Sequence, residues 1–388
     1  MPSVAPFDGL LFDPARVGDL AAVTAPPYDI IGPEEQRRLH RASPHNISRV
    51  DLGRDDGASG DKYTRAGRLF RRWRREGALA RAGRPGVYPY EMRFMHHGAP
   101  RRVRGVILEV GLEPWGRGVL PHEHTMVAPV EDRLALMRST RANISPIYAV
   151  CSGPSEPQSE LLARAGRRPP DREVADEGGV VHRLWVEDPS DDLAVWHRDR
   201  PLLVADGHHR YQTALAFREE ADGRDGPGPW DAVMMLVVDA VAEDPPVLPI
   251  HRVARVDELP DLPGQRVRDL TEVLLWLSEG GLRFGAALRR GQRLEHVVGT
   301  LRGDPPAVSA LHREVLDAVD GLRELRYLPD AAAAEEAVHS GAADLALFLP
   351  PARVEEIRAV IEAGGRLPQK STYFWPKPRT GMVVRPLD

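Results

Sequence analysis

The sequence predicts a mixed α/β fold, and three observations carry that expectation. Strand-like and helix-like segments alternate along most of the chain. At residues 201–220 a short, non-alternating apolar run, PLLVA, passes directly into a helical pattern, as expected of a strand covered on both faces. The 388 residues exceed what one core of ordinary size requires, so two subdomains are expected.

Taken in order, residues 33–41 read as a short helix with proline at its start, after the turn-forming APPYD. Residues 47–52 suit a short strand, and 62–76 a helix ending at Gly77. Residues 87–95 and 102–110 form a hairpin joined by HHGAP. A helix at 129–140 leads to a strand at 145–151, and 152–179 is a surface excursion around a short helix. Strands follow at 180–187, 202–205, 232–239 and 247–253, with a helix at 211–219 and a loop at GRDGPGPW. Beyond residue 256, helices are expected at 265–278, 295–301 and 308–319. Strand, helix and strand then occupy 324–351, with a last helix at 352–363. The proline-rich tail lacks a regular element until 381–385. Three regions result: 1–255, an accessory mixed α/β region at 256–366, and a tail at 367–388 returning to the core.

Composition narrows the function. An apolar fraction of 42% with 28% charged residues suits a soluble globular chain, and no apolar run approaches a bilayer span. The N-terminal MPSVAPFDGLLFDP shows no secretory pattern, so a cytoplasmic location is expected. One cysteine, Cys151, allows neither a disulfide framework nor a multi-cysteine metal cage. The net charge of −5 gives no global pull toward nucleic acid. Residues 65–104 nevertheless hold twelve arginines against Glu76 and Glu91; this reads as a solvated face or as a polyanion-binding patch. Arginine supplies 49 of 52 basic residues, the lysines being Lys62, Lys370 and Lys377; asparagine occurs only at Asn46 and Asn143. Positions that hold these scarce types are the more expected to need their chemistry.

The strongest chemical signal is ADGHHR. Gly207 stands at a strand-to-helix turn, where backbone N–H groups and the helix dipole favour an anion. His208, His209 and Arg210 add charge-assisted donors. Asp206 serves as a helix cap, a metal-directed carboxylate or a proton carrier. The alternative is an aspartate cap with incidental surface histidines.

VADGHHRYQTAL resembles the signature of the ParB/sulfiredoxin-like superfamily, especially its free-serine kinases, whose motif reads D-G-x-H-R. Over nearly the full length, the blocks APPYDII, PHNISRVDLG, LPHEHTMVAPVEDRL, TRANISPIYAV, VADGHHRY, LPIHRV and PQKSTYFWPK resemble a widespread microbial family of unknown function. The superfamily resemblance implies a ParB/sulfiredoxin-like core in residues 1–255 with an added α/β C-terminal region. It also implies ATP or ADP with Mg2+ as cofactors. By position it makes Asp206 a catalytic or orienting carboxylate, and His209 and Arg210 phosphate ligands.

Other residues are candidates around such a centre. In PHEHT, His122 and His124 lie on one side of an extended backbone and Glu123 on the other. They form a metal half-site, a hydrogen-bonding cluster near phosphate and Mg2+ with Glu123 as general base and Thr125 alongside, or simply structural polar contacts. No resident metal site is assigned. Asn143, Ser145, His251 and Arg252 sit at element ends suited to substrate contacts. Lys370, Ser371 and Thr372 either anchor the tail or close over nucleotide phosphates. The expected function is a nucleotide-dependent phosphotransferase (a kinase) acting on a small hydroxyl-bearing metabolite, with serine the first choice. The alternatives are a ParB-like nucleotide-binding, DNA-associated protein and a metal-dependent hydrolase. Nucleotide and small-molecule substrate are the expected partners; nucleic acid and membrane are not, and a homodimer is left open.

Overall fold

The structure is a computed structural model that describes residues 2–55, 60–123, 125–151, 156–189, 200–291 and 293–388. It is mixed α/β, as expected, and divides into two compact units. The first comprises Met1–Pro121, Thr125–Pro245 and Pro376–Asp388; the second comprises His122–His124 and Pro246–Trp375.

The first unit is built on a nine-stranded mixed sheet. Its strands run Val119–Leu120, Leu202–Asp206, Ile147–Cys151, Ala232–Asp239, Ala99–Gly111, Tyr88–His96, Val181–Leu184 and Arg172–Ala175, with Val4–Ala5 also paired to Ala99–Gly111. Ala232–Asp239 runs parallel to Ile147–Cys151 and antiparallel to Ala99–Gly111. Apolar residues on one side of the sheet, among them Val106, Leu108, Val204 and Met235, pack with Leu161 and Leu162 of helix Glu156–Ala165 and with Tyr211 and Leu215 of helix His208–Asp225. A separate cluster gathers Phe70 and Trp73 of helix Lys62–Arg75 with Phe12, Leu39 and Ile47. That helix starts where Asp61 Oδ1 accepts the Thr64 N–H at 2.8 Å.

The expected strand at 47–52 is instead a helical turn, Ser48–Asp51. Asn46 is the reason: its Oδ1 accepts from Ser48 N at 3.0 Å and Ser48 Oγ at 2.6 Å, while Nδ2 donates to Ala22 O at 2.8 Å. Such local side-chain bonds outcompete a sheet ladder. The helix of ADGHHR is also longer than expected, running His208–Asp225 into the expected GRDGPGPW loop.

The second unit has a six-stranded antiparallel sheet in the order Gln265–Val267, Arg293–Thr300, Arg283–Arg290, Leu345–Phe348, His251–Val256, Leu322–Leu328. Ala307–Glu314 packs in one core cluster, and Leu270–Ser278 with Ala331–His339 in another. Two expectations fail here. Residues 265–278 divide into a strand and a helix that begins only after Asp269, which caps it through Glu272 N at 3.1 Å. Residues 295–300 belong instead to a strand, Arg293–Thr300, hairpinned with Arg283–Arg290. The β-branched Val297, Val298 and Thr300 favour that state. Gly299 lets Phe284 lie close, since a Cβ there would stand 2.5 Å from Phe284 Cε1.

Candidate functional site

Strand Leu202–Asp206 is buried along its first four residues and flanked by Val119–Leu120 and Ile147–Cys151. Its register with Ile147–Cys151 shifts between Val204 and Asp206, an irregularity of the kind that re-aims a side chain at a strand end. Gly207, at φ 102° and ψ 28°, turns the chain into helix His208–Asp225. Only glycine takes that conformation without strain. A Cβ there would also meet Arg210 Nε at 2.9 Å.

Four charged groups converge at this turn. Lys377 Nζ lies 2.5 Å from Asp206 Oδ1 and 2.6 Å from Asp29 Oδ2. Asp206 Oδ2 accepts from Arg210 Nη2, and Arg210 Nη1 donates to Ser145 Oγ at 3.1 Å and Pro146 O at 2.6 Å. Burial alone would drive Asp206 and Lys377 to their neutral forms. Their mutual attraction, with Arg210 and Asp29 adding to it, wins: the carboxyl is held well below the usual range and the ammonium well above it. Asp206 therefore contributes stability above about pH 4 that is lost as pH falls through its depressed value. Lys377 contributes stability below about pH 10 that is lost as pH rises through its elevated value.

A second ionic group adjoins Arg210. Arg133 Nη1 donates to Asp51 O at 2.7 Å and Oδ1 at 3.1 Å, and its Nε donates to Asp132 Oδ2 at 2.9 Å. Asp132 also takes Lys62 Nζ and Tyr63 Oη, each at 2.7 Å, and Arg133 stacks over the Tyr28 ring at 4.1 Å. Burial opposes ionisation of Asp132, yet Arg133 and Lys62 bring its carboxyl down to about 2. In Asp51 burial prevails over Arg133, raising the carboxyl. A cavity of about 40 Å3, enough for one or two waters, is lined by Asp51, Arg133, Asn143, Ser145 and Arg210 among others. Asp51 Oδ2 and Arg210 Nε, both buried, have no hydrogen-bond partner among the described residues.

The other expected residues fall as follows. His208 is buried, its ring stacked 6.0 Å from Trp115. His209 Nε2 accepts the Met126 N–H at 3.1 Å. Asn143 Oδ1 accepts from Met234 N at 3.1 Å and Arg385 Nη1 at 3.2 Å, tying the C-terminal strand Arg385–Pro386 to its neighbours. Thr125 is half-buried.

Within the second unit, His122 is fully buried and its Nε2 lies 2.7 Å from Thr372 Oγ1. Glu123 Oε1 accepts from Ser371 N at 3.1 Å. The PHEHT and PQKST blocks thus meet through side chains and backbone. His124 lies outside the described residues. Lys370 sits exposed at φ 55°. Arg252 is buried, with Nε on His312 Nε2 at 3.2 Å and Nη groups on Ile250 O and Gln369 O. His251 Nδ1 accepts from Leu349 N at 3.3 Å.

Burial, with Arg252 beside them, depresses His251 and His312 to about 4 each. A histidine whose folded value lies below its unfolded value of about 6.5 disfavours the proton in the native state. Its stabilising contribution is present above about pH 6.5 and lost as pH falls toward 4. For buried His251 the loss is on the order of 3 kcal/mol. Hydrogen exchange of His251–Val256 amides should accelerate between pH 7 and 4.5 after correction for intrinsic rates, and His251→Gln should flatten that dependence.

Sequence reasoning did not single out Lys377, Asp29 or Asp51 for the site. One signal for Lys377 was available: it is one of three lysines, and two of the three, Lys62 and Lys377, are held by carboxylates of the first unit. Asp132 and Arg133, inside the helix expected at 129–140, carry no local signal of a site, although Arg133 is buried and ion-paired.

The fold and this turn define a mixed α/β protein with a buried lysine–aspartate–arginine cluster at a helix start. The chain belongs to the family described as protein of unknown function (DUF1015), which matches residues 4–312. No curated protein matches it. Among solved structures it is similar to a free serine kinase in complex with AMP, at 14% identity and TM-score 0.35, over 66% of this chain and 83% of that one. A conserved hypothetical protein from Pyrococcus furiosus aligns at 12% identity and TM-score 0.32, over 66% and 86%. SbnI with a C-terminal truncation, from Staphylococcus aureus, aligns at 11% and 0.37, over 69% and 84%.

Proposed function

We propose that the protein is a nucleotide-dependent phosphotransferase acting on a small hydroxyl-bearing metabolite, with serine the first acceptor to test. The observation that carries this reading is the cluster of Asp206, Gly207, Arg210 and Lys377 at the start of an 18-residue helix. Helix N–H groups and dipole, a guanidinium and an ammonium gather where a phosphate chain would lie. Phosphoryl transfer rests on positioning and charge stabilisation, which such donors supply. Asp206, held ionised, is a poor proton acceptor; its suited work is to hold Arg210 and Lys377 in place. His209, on the same helix, is the proposed proton carrier, to be tested by His209→Asn.

ATP or ADP fits the donor set at the helix start. Mg2+ does not fit between Asp29 and Asp206, because the Lys377 ammonium already occupies the point on which both carboxylates converge. No step is therefore routed through the metal, which enters only as a component of the assay.

The test is phosphorus NMR of the protein with ATP or ADP, Mg2+ and serine. Phosphoserine should form, and Arg210→Ala should slow its formation about a hundredfold or more. Absence of phosphoserine, with no reverse reaction from phosphoserine, rules out serine as the acceptor.

A further inference from the structure

The hairpin Tyr88–His96 and Ala99–Gly111 carries part of the arginine-rich stretch that the proposed function leaves unused. Its register sets Glu91 opposite Arg104 and Arg93 opposite Arg102. On the next strand Arg183 faces Glu91. Directly opposed residues share a face with Cβ atoms about 5 Å apart, so the Arg93–Arg102 pair places two like charges side by side at a cost in stability.

The carboxylates on this face are already engaged. Glu91 pairs with Arg93 at 2.5 Å and Arg183 at 3.6 Å. Glu243 takes Arg104 Nη2 at 2.7 Å and Nε at 3.1 Å, and the Arg104 N–H at 2.9 Å. Among the described residues, Arg102 and Arg167 have no ion-pair partner. Both line, with Arg93 and Arg104, a pocket of about 220 Å3 whose apolar lining includes Leu162 and Trp185. With Arg93 held by Glu91 and Arg104 by Glu243, Arg102 and Arg167 leave two uncompensated guanidinium charges in a concave place.

We propose that this pocket binds a small polyanion carrying phosphate or carboxylate groups. The guanidinium fork matches both groups in geometry and charge. The volume equals roughly seven waters at about 30 Å3 each, the scale of pyrophosphate or a tricarboxylate rather than of a duplex or a folded partner. A bound anion would also offset the repulsion that this register sets up between Arg93 and Arg102. The site is separate in residues from the Asp206 cluster and stands whether or not phosphotransfer is confirmed.

The probes are pyrophosphate and citrate, titrated by calorimetry at low salt into wild type, Arg102→Ala/Arg167→Ala and Arg102→Glu. Both substituted arginines are exposed, so the variants should fold. At least one probe should bind wild type, and the double variant should bind it about tenfold or more weakly while its thermal response to ADP matches wild type. Which probe binds identifies phosphate or carboxylate as the recognised group. Without ligand, Arg102→Glu should melt above wild type, because it converts the opposed like charges into a pair. Equal binding by wild type and double variant overturns the proposal, as does no binding of either probe at about 10 mM or an Arg102→Glu protein that melts below wild type.

Discussion

Lys377→Met is expected to destabilise the protein by about 3–5 kcal/mol, because it leaves two largely buried carboxylates beside an apolar side chain in place of their shared ammonium. The Lys377 side chain is 6% exposed and touches both Asp29 and Asp206. The same change removes one of the two cations proposed to meet phosphate, so any nucleotide-dependent rise in melting temperature should vanish. Urea unfolding at pH 7 measures the first effect and a thermal shift with ADP the second. Lys370→Met is the matched control: Lys370 is exposed in a turn, and its loss should stay within about 0.5 kcal/mol. The pH dependence gives an internal check. Without the ammonium, Asp206 loses the attraction named as the largest force lowering its carboxyl, while burial still raises it. A carboxyl raised in the folded state stabilises that state as it takes up a proton, so the variant should regain stability as pH falls toward 4. A variant as stable as wild type at pH 7 would show that the buried cluster is not what holds this turn together.

Gly207→Ala is expected to cost about 1–3 kcal/mol and to weaken nucleotide binding about tenfold or more. Two effects add. The backbone at φ 102° is strained for any residue with a Cβ, and the new methyl would crowd Arg210 Nε and Cζ at 2.9 and 3.0 Å. Moving Arg210 also loosens its bonds to Asp206, Ser145 and Pro146. Gly83→Ala separates the contributions: Gly83 has φ 92° but nothing within 4 Å of its added Cβ, so it reports backbone strain alone. Greater destabilisation in Gly207→Ala than in Gly83→Ala, together with lost binding, supports a turn shaped to hold Arg210. Equal costs and unchanged binding would reduce Gly207 to an ordinary turn glycine.

These variants show which parts of the molecule were legible in the sequence. PLLVA followed by a helical pattern places the Asp206 turn without a structure, because burial on both faces and helical spacing are local signals. Strand Ala232–Asp239 was readable to the residue for the same reason. Residues 295–301 were misread because a strand buried on both faces loses its alternation, and Glu295 and His296 beside Val297 imitate a helix face. The turn Ser48–Asp51 was misread because Asn46, not hydrophobic pattern, decides it. Within the site, Asp206, Gly207 and Arg210 are near neighbours in sequence and announce one another. Asp29 and Lys377 come from opposite ends of the chain, Lys377 bridging Asp29 to Asp206, and no local pattern links them. Scarcity of lysine pointed to the tail; there Lys370 opens a polar triplet that suggests a role, whereas Lys377, between two prolines, has no neighbouring polar pattern to mark it.

The most direct test of the account is calorimetric titration of ADP into wild type and Arg210→Ala under identical salt and Mg2+. Saturable binding to wild type and at least tenfold weaker binding to the variant are expected, since Arg210 is proposed to meet phosphate at the start of helix His208–Asp225. Equal affinity in the two proteins, or no binding to wild type, would contradict it.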